Sequence, residues 1–309
     1  MSLGFVFPGQ GSQFVGMLSD AAAVHRSVRE RFDEAGDAIG IDLWGIVSDG
    51  PDADLAATAV TQPALLTASV ALWDVWLAEG GPQPALMAGH SLGEYSALTC
   101  AGALAFADAV RLVRRRGELM QEAVPQGEGA MAAILSLDDA AIEAACAAAD
   151  GLVSPANYNA PGQTIIAGTA RAVEQAVADC QDRGARKAVM LDVSGPFHCA
   201  LMAPARERLA EALDSVPLNL PRIPVVHNVD AEIATTVEDI EQRLLAQLSE
   251  PVRWIECVQR LAAGGVSHLV ECGPGKVLTG LSRRIDRALT AGTLSTLDSL
   301  AGQLEAAAA

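Results

Sequence analysis

Apolar and polar positions alternate along the chain in two textures. From Leu3 to about residue 125, short continuous apolar runs give way to longer stretches with apolar residues three and four apart. Continuous runs predict strands buried on both faces, and the longer periodic stretches predict amphipathic helices. The predicted elements are a strand at Leu3 to Phe7, helices at Asp20 to Ile39 and Gln62 to Glu79, a strand at Pro84 to Ala88, and helices at Glu94 to Ala101 and Phe106 to Glu122. This alternation favours an open α/β sheet. Residues 127–194 read differently. Strand at Ala130 to Leu137, helix from Asp138-Asp139 to Ala149, strands at Val153 to Asn157 and Gln163 to Ala167, helix at Ala170 to Arg183 and strand at Arg186 to Val193 make the order β-α-β-β-α-β. That is a ferredoxin-like pattern. The α/β texture then returns: helix from Ala200 to Val216, strand at Val225 to Asn228, helices at Ile240 to Leu248 and Val252 to Ala263, strand at Ser267 to Glu271, the loop Gly273-Pro274-Gly275, and a helix at Leu278 to Leu289. The tail from Ala306 to Ala309 is expected to fray. The predicted fold is a large α/β domain, hydrolase-like with a mostly parallel sheet, over residues 1–126 and 195–309. A small ferredoxin-like (βαββαβ) domain, residues 127–194, is inserted into it.

Composition narrows the function. Half of the 309 residues are hydrophobic, enough for a large core, and the formal net charge is −17. Such acidity argues against nucleic acid and anionic membrane as partners. No apolar run reaches the roughly 18 residues of a membrane span. Met1-Ser2-Leu3-Gly4 has no basic n-region, so no signal peptide is expected. Cys100, Cys146, Cys180, Cys199, Cys257 and Cys272 are scattered without a C-x-x-C pair. The expectation is therefore free buried thiols in the cytoplasm and no metal site.

One turn carries specific chemistry. Gly89-His90-Ser91-Leu92-Gly93 lies between a predicted strand and a predicted helix, the setting of a nucleophile elbow. Ser91 would be exposed at the head of the helix, and the Leu92 N–H would point where an oxyanion forms. An ordinary turn with a capping serine is the plainer reading. A serine nucleophile needs a base, and the chain has five histidines: His25, His90, His198, His227 and His268. His90 is next to Ser91, so its side chain diverges and supports the site from behind. His268 suits a structural role, and His227 beside Asn228 stays open. His198, in Ser194-Gly195-Pro196-Phe197-His198 at the domain junction, is the favoured base. No acid stands out as its partner, Asp192 included, so a backbone or side-chain carbonyl could orient the imidazole. In the first strand's loop, Pro8-Gly9-Gln10-Gly11-Ser12-Gln13, Phe14 replaces the third glycine of a dinucleotide fingerprint. Its backbone N–H groups could serve an oxyanion instead. Drawn at roughly 100° per residue, the helix from Phe106 to Glu122 puts Arg116 within its apolar arc. A buried guanidinium needs an anion, either a core carboxylate or a substrate carboxylate. Gly117 is expected to leave room for that ligand.

These pieces suggest transfer of a carboxylated acyl group. The ordered motifs Phe7-Pro8-Gly9-Gln10-Gly11-Ser12-Gln13, Gln62-Pro63-Ala64, Gly89 to Tyr95, Arg116-Gly117, Gly195-Pro196-Phe197-His198 and Gly273-Pro274-Gly275 resemble the bacterial malonyl-CoA:acyl carrier protein transacylases of type II fatty acid synthesis. The resemblance covers almost the whole chain. It implies an acylated Ser91, His198 as base, the main-chain carbonyl of Gln247 orienting it, and an oxyanion hole from the amides of Gln10 and Leu92. It implies Arg116 on the malonyl carboxylate, with Gln62, His90 and Phe197 around the acyl group, Phe197 resembling malonyl-selective members. It further implies malonyl-CoA and acyl carrier protein as partners, no cofactor, and a monomer. Because carrier proteins are acidic, docking needs a local basic patch, for which Arg186, Lys187, Lys276, Arg283, Arg284 and Arg287 are candidates, the last three expected on one helix. The competing readings are a serine esterase or thioesterase, a malonyl transacylase serving a polyketide or malonate decarboxylase carrier, and an inert scaffold.

Overall fold

In chain order the strands are β1 (Leu3–Phe7), β2 (Leu86–Gly89), β3 (Gly129–Leu135), β4 (Val153–Ala160), β5 (Gln163–Thr169), β6 (Lys187–Met190), β7 (Val225–Val226), β8 (His268–Glu271) and β9 (Thr290–Thr293). The structure is a computed structural model and describes residues 2–308. A five-stranded sheet in the order β7-β2-β1-β8-β9 is parallel throughout. Every residue of β1, β2 and β8 is buried, as helices on both faces require. Alternation along β1 divides the core: Phe5 and Phe7 pack with the helices Thr58–Ala78 and Phe106–Glu122, while Val6 packs with Trp254–Ala263 and Val277–Ile285 on the other face.

The second sheet, in the order β4-β5-β3-β6, is antiparallel. The helices Asp139–Ala148 and Ala170–Asp182 cover one face through Ile134, Ile142, Ile166 and Val173. Because side chains alternate in a strand, Met131 and Ile165 point the other way and join the main core beside the candidate site.

Several boundaries differ from the sequence expectation. The first helix breaks at extended His25 into Ser19–Val24 and Arg26–Ile39. The next begins at Thr58 rather than Gln62 and holds Pro63 inside its buried second turn. The helix expected from Ala200 opens as a 3₁₀ turn, Ala200–Met202, before Ala203–Leu213. The last basic helix ends at Ile285, and β9 follows where more helix was expected. The short helices Leu43–Asp49 and Asp52–Ala56 were not anticipated. Nor was Leu297–Ala308, which takes in most of the tail expected to fray; Ala309, like Met1, lies outside the described residues. No helix among the described residues is long and apolar enough to cross a membrane.

Candidate active site

The turn after β2 is tight because two glycines permit it. A Cβ on Gly89 would stand 1.9 Å from the carbonyl carbon of Gly93, and one on Gly93 would stand 2.0 Å from Phe7 O. Between them Ser91 takes φ 52° and ψ −109°, a sparsely populated conformation for a residue with a side chain. Asn228, just past β7, fastens the turn from the side: its Oδ1 accepts from Ser91 N at 2.7 Å, and its Nδ2 donates to Gly89 O at 2.7 Å. The helix Leu92–Cys100 starts immediately after Ser91. Leu92 N–H therefore has no acceptor within the helix, and the helix terminus favours negative charge at that point.

His198 meets Ser91 across 107 positions of sequence. Its ring sits on a backbone of φ 58°, again left-handed. Nδ1–H donates to Gln247 O at 2.7 Å, and because a carbonyl can only accept, this fixes the tautomer. Nε2 is then free to accept the Ser91 hydroxyl proton across 2.7 Å. Burial, followed by the nearby Arg116 charge, pushes the imidazole down to about 3. The ring is thus neutral at physiological pH, the form a general base needs. No carboxylate stands behind it; Asp192 is exposed.

Arg116, 1% exposed, lies in the same cavity. Its Nη1 donates to Gln62 Oε1 and its Nη2 to Gln247 Oε1, both at 2.8 Å, and Nη2 also reaches Ser91 Oγ at 3.3 Å. The guanidinium carbon lies 5.3 Å from the Tyr95 ring centroid. Two neutral amides thus hold the guanidinium at its flanks while it faces the serine. The expectation for Gly117 is corrected. A Cβ there would press 2.7 Å from Thr58 O and 2.8 Å from Ala59 Cα, so this glycine lets two helices approach and makes no room for ligand.

Gln10, Leu92, Met131, Asn157, Asn159, Ile165 and Phe197 complete a cavity of about 220 Å³ around Ser91 and Arg116. His90 also lines this cavity: its Nε2 bonds Asn159 Oδ1 at 2.7 Å, and its ring lies 5.5 Å from that of Trp254. Burial lowers its pKa. His25 pairs loosely with Glu79, and His268 is held by Thr290 and Gln303. His25, His227 and His268 lie outside the cavity, and His227 donates its Nδ1–H to Glu94 Oε1 at 2.6 Å. A second cavity of about 160 Å³ adjoins the first across His90, Asn159 and Gln10, and Gln163 and Val277 lie on its wall. The six candidate docking cations are exposed. Arg287 lies beyond the end of the helix assigned to it. Arg284 donates to Gln163 Oε1 and Pro161 O, and Arg283 to Ala291 O.

Sequence reasoning missed Asn228, Asn159 and Glu94 as supports of this site. Glu94 had a legible signal, being a charged residue within a helix that is buried along its whole length. The asparagines had none, since short polar residues near strand ends are common in loops.

Residues 4–294 match the acyl transferase domain family. The malonyl CoA-acyl carrier protein transacylase of Escherichia coli (strain K12) is 57% identical over 303 residues, 97% of this chain and 98% of the relative. An acyl carrier protein S-malonyltransferase from Vibrio cholerae superposes with a TM-score of 0.96 at 52% identity, covering 98% of this chain and 100% of that one. The malonyl-transacylase solved in complex with a type II polyketide synthase acyl-carrier protein gives a TM-score of 0.98 at 50% identity, covering 99% and 100%. With the serine, histidine and arginine gathered in one cavity and relatives of this likeness over its whole length, the chain belongs to the acyl transferase domain family, among the malonyl CoA-acyl carrier protein transacylases.

Proposed function

We propose that this acyltransferase moves a malonyl group from malonyl-CoA to the phosphopantetheine thiol of an acyl carrier protein through a malonyl-Ser91 ester. The observation that carries this reading is a neutral, carbonyl-oriented His198 on Ser91 with a buried guanidinium 3.3 Å from the same hydroxyl. A simple esterase has no use for that cation, whereas a malonyl carboxylate does. His198 Nε2 takes the Ser91 proton as Oγ bonds the thioester carbon. The tetrahedral oxyanion is received by the N–H groups of Gln10 and Leu92, each worth roughly 3 kcal/mol. The C–S bond breaks, and His198 returns the proton to the departing CoA sulfur. The carrier thiol then gives its proton to His198, attacks the ester and regenerates Ser91. As the C–O bond of the ester breaks, His198 hands the proton taken from the carrier thiol to Ser91 Oγ; one thioester has replaced another, and no cofactor enters the balance.

Arg116 also tunes the base. Its charge depresses His198, so a carboxylate bound to Arg116 would offset that charge and raise the imidazole's basicity as the correct substrate arrives. Phe197 on the cavity wall leaves little space for a 2-methyl branch.

We assign residues 127–194 to an inserted ferredoxin-like domain, a reading supported by the β-α-β-β-α-β succession and the strand order β4-β5-β3-β6. For the carrier, Lys187 pairs in register with Leu135, which pairs with Gln163, the residue Arg284 grips. Arg284, through Gln163, and Lys276, next to Val277, adjoin the second cavity, and Arg186 and Lys187 lie two strands along the same sheet, a basic side to an acidic protein. A polyketide carrier is a second acceptor reading, favoured by the solved complex. Six free buried cysteines suit a reducing cytoplasm. The protein is expected to run as a monomer on size exclusion. Acid-quenching the protein with malonyl-CoA or acetyl-CoA and weighing it intact tests the core reading. A Ser91-dependent malonyl increment well above the acetyl one is expected. CoA release without any adduct would instead indicate a hydrolase.

A further inference from the structure

Three Asp, Glu, Lys or Arg side chains among the described residues are buried: Glu94, Arg116 and Glu271. Glu271 is occupied elsewhere, accepting from Leu278 N and Thr279 N at the start of the helix Val277–Ile285. Arg116 and Glu94 are therefore the opposite charges enclosed around Ser91, yet they do not touch. Gln247 stands between them. Its Oε1 accepts from Arg116 Nη2 at 2.8 Å, and its Nε2 donates to Glu94 Oε2 at 2.8 Å. Glu94 meets donors only: Asn228 N at 3.0 Å on Oε2 and His227 Nδ1 at 2.6 Å on Oε1. Three N–H groups thus converge on the Glu94 carboxylate, and Gln247 is the one that links it to Arg116.

We propose that Glu94 is a specificity-determining residue, a buried counter-charge set one amide away from Arg116 that moderates the arginine's hold on the malonyl carboxylate so that the group can be passed on. The proposal rests on the transacylase reading above. A guanidinium cannot shed its proton, and the two neutral amides bonded to Nη1 and Nη2 do not cancel its charge, while Nε has no protein partner. Without a fixed anion, the empty site would favour any small carboxylate that entered. Binding substrate that tightly lowers KM without accelerating chemistry, and it slows departure. The separation through Gln247 matters because a carboxylate in direct contact with Arg116 would occupy the edge that faces Ser91. Glu94 touches no reacting atom and acts through Arg116 and Gln247.

Glu94→Gln isolates the charge, because a glutamine amide has the same shape. Its oxygen can accept from Asn228 N and Gln247 Nε2. Its nitrogen can donate to His227 Nδ1, since His227 Nε2 has no protein partner and can carry the ring proton. The experiment measures inhibition by free malonate, together with KM and kcat for malonyl-CoA and acetyl-CoA. In E94Q, malonate should bind about tenfold tighter. KM for malonyl-CoA should fall with kcat for transfer, and KM for acetyl-CoA should change far less. A purely structural Glu94 would weaken malonate binding or leave it alone, and either result overturns the proposal. A melting cycle covers poor folding of E94Q: R116M strands the carboxylate, so E94Q/R116M should melt above R116M alone. A double variant melting at or below the single one overturns the pairing. If the unaltered protein forms no malonyl-Ser91, the transacylase reading falls and takes this one with it. If it forms the adduct and malonate affinity is insensitive to Glu94, only this inference falls.

Discussion

The cavity has two unlike walls. The wall from the parallel sheet carries Ser91 after β2 and Gln10 after β1, with His198 and Arg116 brought in from loop and helix and Asn228 and Gln247 fastening them from behind. The wall from the antiparallel sheet offers Met131, Ile165, Asn157 and Asn159 from strand faces. Chemistry collects on the first wall because parallel strands end at a common edge where helices begin, and helix starts present unpaired N–H groups. Antiparallel strands satisfy their backbone groups in their ladders, so that side shapes the cavity, contributing apolar surface and a few side-chain amides. Catalysis needs fixed dipoles and charges, which the first wall holds in strained backbone and buried hydrogen bonds.

Substitutions on the two walls should separate these roles. The largest effect is expected at His198→Ala, with acyl-enzyme formation falling on the order of 10⁵-fold in rapid-quench mass measurements while the melting temperature changes little. Arg116→Ala should reduce malonyl loading relative to acetyl loading by about 100-fold, the loss of two charge-assisted hydrogen bonds. Equal loss of both would break the assignment of Arg116 to the carboxylate. The same variant tests the pH behaviour. With His198 at about 3, the acid limb of kcat/KM for the free enzyme lies well below the ordinary histidine range. Removing the Arg116 charge should raise that limb, while burial keeps it below 6.5. For stability the sign follows from proton uptake. Unfolded His198 protonates below about 6.5 and the folded ring does not until about 3, so acidification across that window favours unfolding.

Gly93→Ala should cost about 3 kcal/mol of stability or more, read from denaturant midpoints, because its Cβ would enter the Phe7 carbonyl. Ile165→Ala on the opposite wall should cost about 2 kcal/mol and leave acetyl and malonyl loading in nearly the same ratio. A changed ratio would show that the second wall also discriminates between acyl groups. The smallest effect is expected on the basic side. Charge reversal at Arg186 and Lys187 should raise KM for carrier protein several-fold at low salt, with KM for malonyl-CoA unchanged.

How far the sequence could be read follows from the range of each interaction. The elbow was legible because its glycines sit two residues either side of Ser91 and contact the adjacent turn. Arg116 was legible because helical periodicity alone places it on the buried face. The helix Phe106–Glu122 was bounded correctly by its amphipathic pattern, whereas β9 and the helix Leu297–Ala308 were missed, being short or alanine-rich near the chain end. Gly117 shows the limit: a glycine beside a functional arginine invites a ligand reading, and only the neighbouring helix reveals its packing purpose.

By itself, then, the sequence determined the longer strands and helices and their order, the strained serine turn and a cation on an apolar helix face. All of these arise from bond geometry and side-chain spacing over a few residues. Tertiary structure decided which of five histidines meets Ser91 across 107 positions. It decided that a backbone carbonyl stands behind that histidine, and that Gln247 reaches Arg116 across 131 positions. It also decided that Glu94 shares the same enclosed network. Such pairings depend on how sheets and helices pack, and no spacing within one segment encodes them.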